Sequence, residues 1–383
     1  MTELAPGKTR TQARGAVGLV FFLQGLCFAT WGSRIPAIQE RFSLSEAGLG
    51  ALLFALPAGL MVSIPLTGWA VVKLGSRRSL LLGLIGYAGV LALVGLAPSL
   101  PLLTAALFFF GLFANAVNIA VNTQAVGIEA LYGRPVMASF HGRWSLAGFT
   151  GAAVGLQMVA AGWAPREHFL LVAALVVVAF AIATPRLLQD KASSEGARSG
   201  FARPDRALLL LGLIAFCSMI AEGTMFDWSG VYFRDVVGGR GSAVGAGYTA
   251  FMSTMAGARF CADRLTHRFG IRRMLQVNGA LAGGGLLLAV AAPGFYPALI
   301  GFLLVGAGVS SVVPLVYSAA GKSGRLPPST AISAVSSLGF VGFLIGPPFI
   351  GFVASLSSLR VSFFLIALLA FGISVLARRG LAA

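Results

Sequence analysis

The sequence predicts an all-α membrane protein, with twelve transmembrane helices in two pseudo-symmetric six-helix bundles. Three observations carry that expectation. Of 383 residues, 57% are hydrophobic and only 10% are charged, and the mean hydropathy is +0.88. A soluble core cannot absorb so much apolar side chain, whereas lipid solvates it. Apolar runs of about 20 residues, the length that crosses ~30 Å of hydrocarbon, recur along the whole chain. The second half also repeats features of the first at an offset of about 195 residues.

The runs fall at 16–38, 47–72, 79–97, 101–128, 137–163 and 168–188 in the first half. In the second half they fall at 207–233, 244–262, 273–292, 296–320, 329–356 and 360–377. Pro and Gly close the tight turns, as in Ala97-Pro98-Ser99-Leu100-Pro101 and Ala292-Pro293-Gly294. The 50 glycines suit helices that approach closely in lipid. The polar stretch near 189–206 reads as a solvated cytoplasmic linker. It divides the chain into an N-terminal bundle (1–190), a linker (191–206) and a C-terminal bundle (207–383).

The net charge of +16 does not point to nucleic acid, because the basic residues sit in short loops between apolar spans. Of the 28 Lys and Arg, 22 belong to the termini and one set of alternate loops. The other side holds Arg34, Arg41, Arg166, Arg234, Arg240 and Arg360. The positive-inside rule then places both termini in the cytoplasm. No small-x-small site closes the first apolar stretch, which argues against a cleaved leader. Cys27, Cys217 and Cys261 read as small apolar packing residues rather than a disulfide or metal set.

The halves match most clearly after their second helices. Gly68-Trp69-Ala70-Val71-Val72-Lys73-Leu74-Gly75-Ser76-Arg77-Arg78 corresponds to Asp263-Arg264-Leu265-Thr266-His267-Arg268-Phe269-Gly270-Ile271-Arg272-Arg273. Gly75 falls on Gly270, the arginine pairs align, and Gly111 falls on Gly306. This loop resembles the G-x-x-x-D-x-x-G-x-R-R/K motif of the major facilitator superfamily, and the resemblance covers nearly the whole chain. It implies two related bundles, alternating access, and a central cavity lined by the first, fourth, seventh and tenth helices. It also implies a gating latch at Gly68, Gly75, Arg77 and Arg78, repeated at Asp263, Arg264, Gly270 and Arg272. Val72 stands where the family's acid usually does, so the first latch lacks its charge partner. Arg34-Ile35-Pro36-Ala37-Ile38, Phe140-His141 and Asp227-Trp228-Ser229 resemble a mostly uncharacterised group of bacterial inner-membrane permeases in that superfamily.

Polar residues inside the apolar runs are the candidate site. A carboxylate at the bilayer centre costs roughly 2.5–3.5 kcal/mol on insertion scales, so Glu222 and Asp227 are expected to face a cavity or a partner. They lie five residues apart, about 140° around a helix, and cannot both point at one spot. Protonation neutralises an isolated carboxylate, so either could couple proton flow to transport, and Glu222, the deeper of the two, is the favoured proton site; a structural hydrogen bond is the alternative. Asn115, Asn118 and Asn122, at i, i+3 and i+7, share one helix face and either bind solute or bond a neighbouring helix. Gln24 and Trp31 share a face of the first helix, and Trp228 adjoins Asp227; all three are candidate solute contacts. Arg34 either snorkels to the outer interface or pairs with Asp227. Glu129 and Arg143, with His141 and Arg134 nearby, are expected to form a cytoplasmic gate or ion-pair network. Pro314, Pro347 and Pro348 mark expected bends.

No enzyme motif is present. Gly321-Lys322-Ser323 mimics the end of a phosphate-binding loop, but Val316 stands where that loop needs Gly, and no strand precedes it. The expectation is a secondary active transporter without a cofactor or metal, moving a small polar or amphipathic organic solute as a monomer in the lipid bilayer. Proton symport is preferred. Proton-driven efflux of drugs or metabolites and a non-transporting membrane sensor are the rivals. Substrate and direction are not legible in the sequence.

Overall fold

The structure is a computed structural model describing residues 2–4, 7–133, 136–190, 206–322 and 328–380. Most of the expected linker, from 191 to 205, lies outside the described residues, as do Arg134 and the side chain of Asp263.

The first half runs through α1 (Arg10–Gly32), the short α2 (Ile35–Arg41), α3 (Glu46–Leu74), α4 (Ser76–Leu96), α5 (Leu100–Tyr132), α6 (Met137–Ala160) and α7 (Pro165–Ala183). The second runs through α8 (Arg206–Asp235), α9 (Ala243–Ala291), α10 (Phe295–Val309), α11 (Val312–Gly321), α12 (Pro328–Leu356) and α13 (Leu359–Gly380). Two-residue strands, Thr2–Glu3 and Gln189–Asp190, pair antiparallel. Ten helices among the described residues are long and apolar enough to cross a membrane. The more polar α6 and the first limb of α9 complete twelve spans when α10 and α11 are taken as one broken span.

Three differences from the expected runs have local causes. Helix α1 starts at Arg10 rather than near 16, because Thr9 and Gln12 form a reciprocal capping box. It stops at Gly32 rather than continuing to 38, since Pro36 cannot donate to the Gly32 carbonyl one turn back. In the second half, α9 is two spans merged across Gly270, whose φ of 77° and ψ of 156° break the helix.

The repeat is structural as well as sequential. Gly75 has φ 81° and ψ 160°, within a few degrees of Gly270. That region is essentially glycine's own. Arg77 donates to the Thr184 carbonyl (3.3 Å), and Arg272 to the Arg378 carbonyl (3.1 Å). Each loop arginine thus caps the end of its half's last helix. A Cβ at Gly111 would strike the Leu56 carbonyl, and one at Gly306 would strike the Phe251 carbonyl. Those two carbonyls are themselves 195 residues apart, so the same backbone crossing is built twice.

Packing divides the chain into two compact units. One comprises Met1–Ile38 with Ala55–Ala197, the other Gln39–Phe54 with Arg198–Ala383. In the first, Tyr87 packs on Phe110 (centroids 4.5 Å) and Trp31 on Phe169 (6.5 Å). In the second, Leu208, Leu211, Ile214, Leu275, Val316 and Ile373 belong to one buried cluster drawn from α8, α9, α11 and α13.

Candidate functional site

Each unit carries its own set of intramembrane polar residues. In the first unit, Gln24 on α1 donates to the Ala114 carbonyl of α5 (3.2 Å) while its own Oε1 is buried without a partner among the described residues. Asn115 donates to the Leu60 carbonyl (3.3 Å) and touches Ser63 Oγ (3.5 Å), so it fastens α5 to α3. Asn122 donates to both the carbonyl (2.8 Å) and Oδ1 (2.9 Å) of Asn118. The asparagine ladder therefore divides: Asn115 is a buried interhelical bond, and Asn118 with Asn122 stay half-exposed on α5. Trp31 is 1% exposed and Trp228 fully buried, each with an indole N–H that finds no partner among the described residues. Both indoles pack inside their own bundles.

The second unit holds the carboxylates. Glu222 on α8 lies 3.7 Å from Nη2 of Arg259 on α9, and the two side chains keep 16% and 21% exposure. The pair is thus inside the bundle yet reachable. Arg259 also donates through Nε to the Ser310 carbonyl (3.0 Å). That carbonyl is one turn before Pro314, which has no N–H to give it. The gap between α10 and α11 sits at Ser310–Ser311, and Asn278 donates to Ser311 Oγ there (2.8 Å). Pro314 opens the helix, Arg259 fills one freed acceptor, and the same guanidinium answers Glu222.

Asp227 is different. It is buried to 8% exposure. No cation or hydrogen-bond donor among the described residues reaches it; the neighbouring polar group is Tyr248, whose hydroxyl is also buried and unpartnered. Arg34, a candidate partner in the sequence, is used within its own bundle. It donates to His168 Nδ1 (3.1 Å) and to the Trp163 carbonyl (2.6 Å).

The expected gate residues fall apart into local roles. Glu129 does not pair with Arg143; its Oε2 accepts from the backbone N–H groups of Val136 (2.8 Å) and Met137 (3.0 Å), capping α6. Arg143 donates to the Arg14 carbonyl (3.3 Å) and lies over the Phe140 ring. Gly68, Arg78 and Arg264 are exposed.

Arg259 is the residue sequence reasoning missed. It counted there as a loop cation, although Pro314 had already announced a free carbonyl and Glu222 a need for positive charge.

The family model of the Major Facilitator Superfamily matches residues 17–328. The chain belongs to that superfamily. It is 37% identical over 361 residues to an uncharacterised transporter of Sinorhizobium fredii, covering 93% of this chain and 95% of the relative. Its fold is similar to the crystal structure of the nucleoside transporter NupG, with a TM-score of 0.77 at 12% identity, covering 96% of this chain and 100% of that one. It is also similar to the E. coli fucose:proton symporter FucP, with a TM-score of 0.62 at 20% identity over 96% and 98% of the two chains. This superfamily member is a multi-pass membrane transporter, not an enzyme.

Proposed function

We propose that this transporter is a proton-coupled symporter carrying a small polar organic solute into the cell across the bacterial inner membrane. It works as a single chain with both termini cytoplasmic, by alternating access of the bundles 1–190 and 207–383. One observation carries the coupling: Asp227 is a carboxylate in a membrane helix that no cation among the described residues answers. Taking up a proton is the chemistry open to such a group. Glu222 has Arg259 beside it, so it keeps its charge at lower cost and belongs with the solute contacts. Gln24, whose Oε1 lacks a donor among the described residues, and the half-exposed Asn118 and Asn122 supply amides for solute hydroxyl or carbonyl groups. Asp263, Arg264, Gly270 and Arg272 with Gly68, Gly75, Arg77 and Arg78 form the gating loops of the two halves. Proton coupling in FucP, a chain of the same fold, supports the reading.

The test uses proteoliposomes loaded with a pH-sensitive dye and challenged with a metabolite panel. A transported solute is expected to acidify the lumen, and Asp227→Asn to abolish that signal while solute-for-solute exchange persists. Lumenal alkalinisation would establish antiport, and solute entry without any proton signal would remove Asp227 from the mechanism.

A further inference from the structure

The two limbs of α9 diverge from Gly270. A cleft of about 330 Å³ opens there. Its walls are Leu265 and Phe269 on one limb and Val277 and Leu281 on the other. Leu265, Phe269 and Val277 are 40%, 42% and 48% exposed, so this apolar surface is open to the bilayer. Leu281 lies eleven residues past Gly270, which puts the far wall roughly 16 Å from the kink.

The kink end is cationic. Arg273 lines the cleft, and its guanidinium lies 5.9 Å from the Phe269 ring centroid. Arg268 lies 5.3 Å from the same ring. Both guanidinium groups thus contact the same aromatic ring. Neither Arg268 nor Arg273 forms an ion pair with a carboxylate among the described residues. The positive-inside rule assigns this end to the cytoplasmic leaflet, where anionic headgroups concentrate.

An apolar slot beneath a paired cation at the membrane surface matches one class of molecule. We propose that the cleft is a binding site for an anionic phospholipid, its phosphate at Arg273 and Arg268 and one acyl chain between the limbs of α9. Inorganic phosphate would answer the arginines but leave the slot empty. A zwitterionic lipid would fill the slot but bring its own cation to the mouth. The floor gives the site a consequence. Ser310 and Ser311 line the cleft, and the Ser310 carbonyl accepts from Arg259 Nε. A lipid seated here touches the helix break that holds the cation beside Glu222, so occupancy bears on the transport site without entering it.

The experiment is native mass spectrometry of the full chain released from nanodiscs of equal phosphatidylglycerol and phosphatidylcholine. Retention of one phosphatidylglycerol per chain is expected, with phosphatidylcholine retained about thirtyfold less, the ratio that roughly one kcal/mol for each of the two arginines gives. Arg273→Gln should lower the preference about fivefold, the share of one arginine, and Arg273→Lys should keep it. Leu281→Trp, which fills the slot and leaves the arginines in place, should lower retention of both lipids. Equal retention of the two lipids by the unaltered chain would overturn the site. So would an unchanged preference in Arg273→Gln, or release of the bound lipid by millimolar inorganic phosphate.

Discussion

Arg259 answers two needs at once, and removing it exposes both. In Arg259→Gln, Glu222 loses its cation and the Ser310 carbonyl loses a charged donor. Truncating one partner of a buried pair costs about 3–5 kcal/mol, and the residual exposure here puts the expectation at the low end, about 3. The double variant Arg259→Gln with Glu222→Gln should recover much of that loss, because no unpaired charge is left behind. Thermal unfolding in detergent of the two singles and the double measures it, and additive losses would show that the contact carries no coupling energy. Glu129→Gln is a milder change. Its two backbone acceptor contacts weaken without a charge, for about 1 kcal/mol at the start of α6. At this scale the sequence located the polar residues but not their partners. The Asn115, Asn118 and Asn122 spacing shows one shared face, yet a spacing cannot tell that Leu60 and Ser63 lie opposite the first of them.

At the scale of the element, the glycines record constraint. Gly75 and Gly270 hold φ near 80° with extended ψ, where a Cβ is strained by about 1–3 kcal/mol. Gly75→Ala and Gly270→Ala should each lower the unfolding temperature, while Gly68→Ala, with nothing within 4 Å of a new Cβ, should not. Equal effects at all three positions would mean that the loop conformation is not what the glycines protect. Gly111→Ala and Gly306→Ala should be more damaging, because each Cβ meets a backbone carbonyl that cannot rotate away. Element existence was legible in the apolar runs, since lipid imposes length and hydropathy on every span. Breaks were less so. Pro314 marked the α10–α11 interruption, but the sequence reading ran the first span straight through Pro36. The merged α9 shows the opposite error of a purely geometric view: one continuous helix by hydrogen bonds, two spans by the Gly270 kink.

For the whole molecule, the unexpected finding is where residues 39–54 belong. They precede and open α3, yet they pack with the second unit. The contact is specific: a Cβ at Gly50 would lie 2.7 Å from the Pro347 carbonyl, and one at Gly351 would strike the Glu46 carbonyl. Arg234, bidentate to Asp235, also donates to Gln39 Oε1 (2.7 Å). Hydropathy assigns residues to a membrane span, not to a packing partner, so the sequence division at residue 190 could not reveal this. Alternating access requires some contacts to form in one state and break in the other, and a glycine crossing with no interlocking side chains separates at little cost. Gly351→Leu should hold the start of α3 away from α12. Leu53 is 2% exposed in the packed arrangement, so a cysteine placed there reports the change. Leu53→Cys combined with Gly351→Leu should react with a membrane-permeant maleimide at least about tenfold faster than Leu53→Cys alone, the ratio that a shift of roughly 1.4 kcal/mol in the packing equilibrium produces. Transport should slow in the same variant, because the packed state is now disfavoured. Faster labelling with unchanged turnover would make the crossing a static support, and unchanged labelling would mean that the leucine is accommodated without separating the helices.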